Sequence, residues 1–103
     1  MKLKPGVRVL GIRPELVLAL LVLRDLYTEY GVGSACVVTS VIEGEHRRAS
    51  LHLAGAAVDL RHPGAQVARQ LVAAAQAQLG EEYDVLLEAD HVHVEFQPKT
   101  AYA

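Results

Sequence analysis

The sequence is poor in cysteine and in large aromatic residues: it has one cysteine, one phenylalanine and no tryptophan. A single cysteine excludes an internal disulfide framework and a cysteine-rich zinc finger. Cys36 lies in an apolar run, Ala35–Val38, which is typical of a small buried side chain rather than a nucleophile. Any metal bound within the chain must therefore be held mainly by imidazole and carboxylate groups.

Positive charge is not in surplus either. Ten Lys and Arg residues face twelve Asp and Glu residues, which gives a formal net charge of -2 with the histidines neutral. This balance argues against a nucleic-acid-binding protein, because such proteins generally carry a basic surplus that neutralises phosphates.

Long hydrophobic runs are also missing. The most apolar run spans residues 16–23, far short of the roughly 20 residues that a membrane-spanning helix needs. Arg24 and Asp25 follow this run where a signal-peptide cleavage site would be expected. We therefore expect neither a membrane span nor a signal peptide, and we expect synthesis in the cytoplasm.

The 103 residues, of which 51% are hydrophobic, are typical of one domain with its own core. The pattern predicts a surface loop over residues 43–50 and a strand, or a loop leading into a helix, over Val7–Ile12. The remaining elements are predicted at Pro14–Tyr30 (helix, before Gly31), Ser34–Ile42 (strand), Ala56–Arg61 (strand), Ala65–Leu79 (helix), and Tyr83–Glu88 with His91–Phe96 (hairpin). We expect the first helix to pack on more than one side, because residues 16–23 are apolar on nearly every face.

The five histidines are prominent in so small a chain, and the predicted hairpin organises two of them. Side chains alternate across a strand, so His91, His93 and Glu95 share one face. The other face carries two valines and a phenylalanine and must point to the core. The histidine face is then either solvent-exposed or a site.

Two further residues extend this candidate site. Asp59 lies between Val58 and Leu60 in an apolar strand, where a carboxylate needs a partner, and His52 precedes it by seven residues. Two imidazoles and a carboxylate around an open position are the ligand set of a catalytic zinc site. Alternatively, Asp59 pairs with an arginine, and His52 is an ordinary loop residue; the candidate arginines are Arg47, Arg48 and Arg61. Residue types and spacing leave both interpretations open.

Two motifs carry a resemblance to a known family. Ser50–Asp59 resembles the Ser-x-His-x-x-Gly-x-Ala-x-Asp motif of cell-wall zinc peptidases, and Asp90–His93 is similar to their Asp-His-x-His ending. These enzymes are D-Ala-D-Ala carboxypeptidases and phage L-Ala-D-Glu endopeptidases, related to the vancomycin-resistance dipeptidases and the Hedgehog signalling domain. The resemblance covers Val38–Phe96, more than half of the chain.

The resemblance implies a role for each matching residue. His52, Asp59 and His93 would bind Zn²⁺. Asp90 would be the general base, and His91 would stabilise the developing oxyanion. Because Asp90 precedes His93 by three residues, an ideal strand would turn it to the other face, although the hairpin turn relaxes that rule; Glu88 is the alternative base.

The sequence departs from the family where substrate is bound. Members usually carry an arginine a few residues after the Thr-Ser of the central strand, whereas Thr39-Ser40-Val41-Ile42 is followed here by Glu43. Arg47 or Arg48 is then the candidate for binding the substrate carboxylate, with Ser50 as a further substrate-binding residue. A solvated loop charge is the simpler interpretation of either arginine.

Taken together, the sequence predicts an α+β domain, residues 1–103, with helices packed on one side of a mostly antiparallel sheet. The predicted function is zinc-dependent hydrolysis of peptidoglycan stem peptides, in a phage or prophage setting where lysis or non-classical release delivers the enzyme to the wall. The alternative is a non-catalytic module of the same fold that binds a wall peptide or a protein partner. A structural zinc with four protein ligands would need His91 as a direct ligand.

Overall fold

A computed structural model describes residues 1–8, 11–42 and 56–98 of the chain. The described parts contain five strands and two α-helices. In chain order they are β1 (Lys2–Leu3), α1 (Pro14–Glu29), β2 (Val37–Ile42), β3 (Ala56–Arg61), α2 (Ala68–Leu79), β4 (Tyr83–Leu87) and β5 (His91–Phe96), with a 3₁₀ turn at Gly33–Ala35.

The limits of α1 follow from its terminal residues. Pro14 occupies the first turn, where its missing N–H is not needed, and Glu15 lies near the positive end of the helix dipole. The helix ends before Gly31, which has a φ of 77° that glycine adopts without steric cost. The predicted extent of this helix is therefore confirmed.

The expectation that α1 packs on more than one side was wrong. Leu16, Leu20 and Leu23 are buried, but Val17 and Leu18 are 42% and 59% exposed. One stripe of the helix meets the core, and the opposite face carries apolar side chains into solvent. An unbroken apolar run does not reveal which of its faces the rest of the chain covers.

The second half of the chain follows the sequence pattern closely. β3 has the predicted limits, while β2 and α2 each begin three residues later than predicted. Residues 7–8 and 11–12 do not form a strand, and the first strand is instead the short β1. The surface loop predicted over 43–50 lies outside the described residues.

The predicted hairpin is confirmed. Leu87 pairs with Val92, and the Glu88 amide donates a hydrogen bond to the His91 carbonyl at 2.9 Å, which leaves Ala89 and Asp90 as the two-residue turn. The inward-facing residues of β5 are buried and the alternate residues are partly exposed.

The strands form one sheet in the order β1-β2-β3-β5-β4. β1 runs parallel to β2, and every other neighbouring pair is antiparallel. The architecture is thus α+β with a mixed sheet. α1, α2 and one face of the sheet share a hydrophobic core that contains Leu23, Val58, Leu60, Leu71, Val92 and Val94. No helix in the described parts of the chain is long and apolar enough to span a membrane.

Candidate metal centre

The candidate centre lies on the sheet face turned away from this core. β3 and β5 are antiparallel neighbours over six residue pairs, in which Asp59 lies opposite His93 and Arg61 lies opposite His91. Val58 and Leu60 on either side of Asp59 are fully buried. Since side chains alternate along a strand, Asp59 points to the opposite face, where it meets the histidine face of β5.

Asp59 contacts both histidines. Its Oδ1 lies 2.7 Å from His93 Nδ1 and 3.7 Å from His91 Nε2. Ligand atoms from the three residues all lie within 4.8 Å of one another. Within the described part of the chain, these histidines and not Arg61 are the ionic partners of Asp59; Arg47 and Arg48, the other candidates, lie outside it.

A second carboxylate contacts each imidazole at its other nitrogen. His91 Nδ1 lies 2.6 Å from Asp90 Oδ1, and His93 Nε2 lies 3.1 Å from Glu95 Oε1. The side chains of His93 and Glu95 are 16% and 15% exposed, whereas Asp90 is 88% exposed on the hairpin turn. Both histidines are therefore bordered by carboxylates on two sides.

The contact between Asp90 and His91 shifts the pKa of both side chains. The hydrogen bond to Asp90 raises the pKa of the His91 imidazole above its usual value, and the nearby charges of Asp59 and Glu88 add to the effect. The same hydrogen bond holds the pKa of the Asp90 carboxyl below its usual range. Both shifts favour the charged forms of this pair, an imidazolium beside a carboxylate.

The donor set suits a divalent metal ion. A zinc ion about 2.0–2.2 Å from each donor in tetrahedral geometry holds neighbouring donors about 3.4 Å apart. The distance of 3.7 Å between Asp59 Oδ1 and His91 Nε2 is close to that spacing, and the 2.7 Å contact with His93 needs to open by less than 1 Å. Imidazole and carboxylate ligands also suit other transition metals, so this geometry is not specific to zinc.

The structure thus unites some of the predicted site residues. Asp59, His93 and His91 converge, and His91 presents a ring nitrogen to the same point as the other two. Asp90 adjoins His91, and its role as a general base stays a prediction, as does that of Glu88, which is exposed at the turn. The remaining predicted residues, His52, Ser50, Arg47 and Arg48, lie outside the described residues.

Sequence reasoning assigned no role to Glu95. The alternation along β5 placed it on the histidine face, and that alternation is the signal by which it could have been found. Its contact with His93 Nε2 makes it part of the centre.

Comparison with known proteins identifies no relative of this chain: no family model, curated protein or solved structure matches it.

Proposed function

We propose that this protein is a zinc-dependent peptidase that hydrolyses peptidoglycan stem peptides, with a fold of the Hedgehog and D-Ala-D-Ala peptidase type. One observation carries the proposal. Asp59 closes the first motif and His93 closes the second, 34 residues further on, and their side chains lie 2.7 Å apart. A metal-binding interpretation of the two motifs requires that contact, and the motif resemblance supplies the substrate class.

Asp59 and His93, with His52 as the third ligand implied by the motifs, would hold the metal. When bound, zinc lowers the pKa of a coordinated water and polarises a carbonyl group. The partial exposure of Asp59 and His91, 18% and 30%, leaves the centre within reach of a peptide laid across this face of the sheet. Asp90 is the general base that the motifs imply, with Glu88 as the alternative on the same turn.

The cleaved bond is either the terminal D-Ala-D-Ala bond or the internal L-Ala-D-Glu bond. A carboxypeptidase must bind the free carboxylate of its substrate, and Arg47 or Arg48 is the proposed source of that positive charge. An endopeptidase has no such requirement. Comparing stem peptides with a free and an amidated C-terminus therefore separates the two activities.

The test combines metal analysis with peptide cleavage. The purified protein should contain about one zinc per chain, and the variants Asp59→Ala and His93→Ala should lose it together with cleavage of peptidoglycan fragments. A wild-type protein that holds zinc and cleaves none of these fragments would contradict the peptidase assignment.

A specific observation favours a second candidate, a structural zinc site closed by four protein ligands, which would suit a non-catalytic module that binds a wall peptide or a protein partner. His91 Nε2 lies close enough to Asp59 to be a direct ligand, and with His52 it would complete four protein ligands, the set of a closed structural site. Cobalt-substituted protein distinguishes the candidates, because a catalytic site retains an exchangeable water and a closed site does not.

A further inference from the structure

Each histidine of the candidate metal centre lies between an inner and an outer carboxylate. Asp59 is the inner carboxylate of both. The outer carboxylate is Asp90 for His91, 2.6 Å from Nδ1, and Glu95 for His93, 3.1 Å from Nε2. The two histidines therefore direct different ring nitrogens at Asp59: His91 directs Nε2 and His93 directs Nδ1.

The pattern of contacts determines which ring nitrogen of each histidine carries a proton. A neutral imidazole has one N–H, and a carboxylate at hydrogen-bond distance holds that proton on the nitrogen facing it. In His91 the contact with Asp90 holds the proton on Nδ1, so the lone pair of Nε2 points toward Asp59 Oδ1. In His93 without a metal, the shorter contact is the one from Nδ1 to Asp59, and it places a proton between these two atoms. A cation bound by Asp59 and His93 Nδ1 takes the place of that proton, and Glu95 then holds the remaining ring proton on Nε2.

Asp90 is poorly located for proton transfer at that point. Its carboxylate contacts Nδ1, while the nitrogen directed at Asp59 is Nε2, so the imidazole ring of His91 lies between Asp90 and the convergence of ligand atoms. Carboxylates behind metal-ligating histidines fix the tautomer and the ring orientation and raise the basicity of the ligand. Asp90 and Glu95 both occupy this position.

We infer that Asp90 and Glu95 are positioning residues that hold His91 and His93 as metal ligands, so that His91 binds the ion directly and Asp90 acts through it rather than as the general base. This inference rests on the metal site of the proposed function but not on its peptidase activity. With His91 as a direct ligand, a tetrahedral site keeps an open position for water only if His52 is not a ligand; with His52 it is the closed site of the second candidate. It implies that Nδ1 carries the proton in metal-bound His91 and Nε2 carries it in metal-bound His93.

Zinc affinity, measured by competition with a chromophoric chelator, tests the inference without any substrate. Asp90→Ala and Glu95→Gln should each weaken zinc binding about 10–100-fold, with the larger loss for Glu95 because it is the less exposed carboxylate. Asp25→Asn is the control: it removes one negative charge from an exposed position on α1, which packs on the other face of the sheet, and it should change the affinity by less than about threefold. Because Asp90 is exposed on the turn, its variant should fold normally.

Nitrogen-15 NMR of the zinc-loaded wild-type protein supplies a second readout, in which the ring protons of His91 and His93 should appear on the nitrogens named above. Unchanged zinc affinity in Asp90→Ala, or a zinc-free Nε2 in His91, would overturn the inference and leave the peptidase proposal standing. If both variants lose zinc affinity as expected but the wild-type protein cleaves no peptidoglycan fragment, the inference is upheld and the peptidase proposal is refuted. A wild-type protein that binds no zinc would overturn both.

Discussion

Zinc should raise the melting temperature of this protein through the group formed by Asp59, His91 and His93, and the size of the increase can be calculated. A ligand that binds only the folded state, at a free concentration 100 times its Kd, adds about 2.7 kcal/mol to the free energy of unfolding. An unfolding entropy of about 2.1 cal/mol/K per residue gives about 0.22 kcal/mol/K for the 103-residue chain. The melting temperature should therefore rise by about 12 °C.

The perturbation that tests the source of this increase is Asp59→Asn. The amide has the size and shape of the carboxylate, but it removes the one anionic ligand shared by the two histidines, which lie 2.7 and 3.7 Å from it. His62→Asn is the control, because His62 is a histidine outside the centre. His62 Nδ1 accepts a hydrogen bond from the Gly64 amide. The side-chain oxygen of asparagine can accept the same hydrogen bond.

Differential scanning calorimetry with and without zinc gives the result. The wild-type protein and His62→Asn should show the full increase, and Asp59→Asn should show less than about 3 °C, which corresponds to free zinc near or below its Kd. An equal increase in Asp59→Asn would refute the assignment, since the ion would then bind elsewhere in the chain. No increase in the wild-type protein with zinc or cobalt would refute the metal centre itself.

Three further predictions concern the metal-free protein. Tyr27→Phe should lower the free energy of unfolding by about 1–3 kcal/mol in urea titrations, because the buried hydroxyl donates to the Arg61 carbonyl at 2.7 Å and that acceptor would lose its partner; no loss would mean that water replaces the bond. The pKa of His91, measured by NMR, should lie above its usual value of about 6.5 and fall in Asp90→Asn; its contribution to stability is fully present below about pH 6.5 and is lost as the pH rises through the raised pKa. Cys36 should react with a thiol reagent only upon unfolding, because burial raises its pKa and blocks access; rapid labelling of the folded protein would contradict its place in the core.

Local patterns in the sequence predicted most of the secondary structure. Pro14 and Gly31 bracket α1, and the alternation of valine with polar residues predicted both the inward face of β5 and the turn at Ala89 and Asp90. These features depend on residues close in sequence, whose conformational preferences do not require contacts with the rest of the fold. The pairing of β1 with β2 was not predictable, because two residues carry no periodic pattern.

The membership of the centre was predictable only in part, and its arrangement was not. The polar Asp59 within an apolar strand indicated a site, and the motif resemblance grouped it with His93, but Glu95 was missed. The direct approach of His91 and the contact of Glu95 with His93 depend on the register of β3 against β5, strands that are neighbours in the sheet but not in the sequence. A one-residue change of that register would turn every side chain of one strand to the other face.

The alternation of β3 and β5 also has a consequence for how this protein can change. Odd-numbered positions 59, 91 and 93 carry the side chains of the candidate metal centre, while even-numbered Val58, Leu60, Val92 and Val94 fill the core. Substitutions in one set leave the packing of the other nearly intact, so ligand chemistry and folding vary independently along the same two strands. Exchanging residues at these positions therefore changes the donor set of the candidate centre without redesigning the fold.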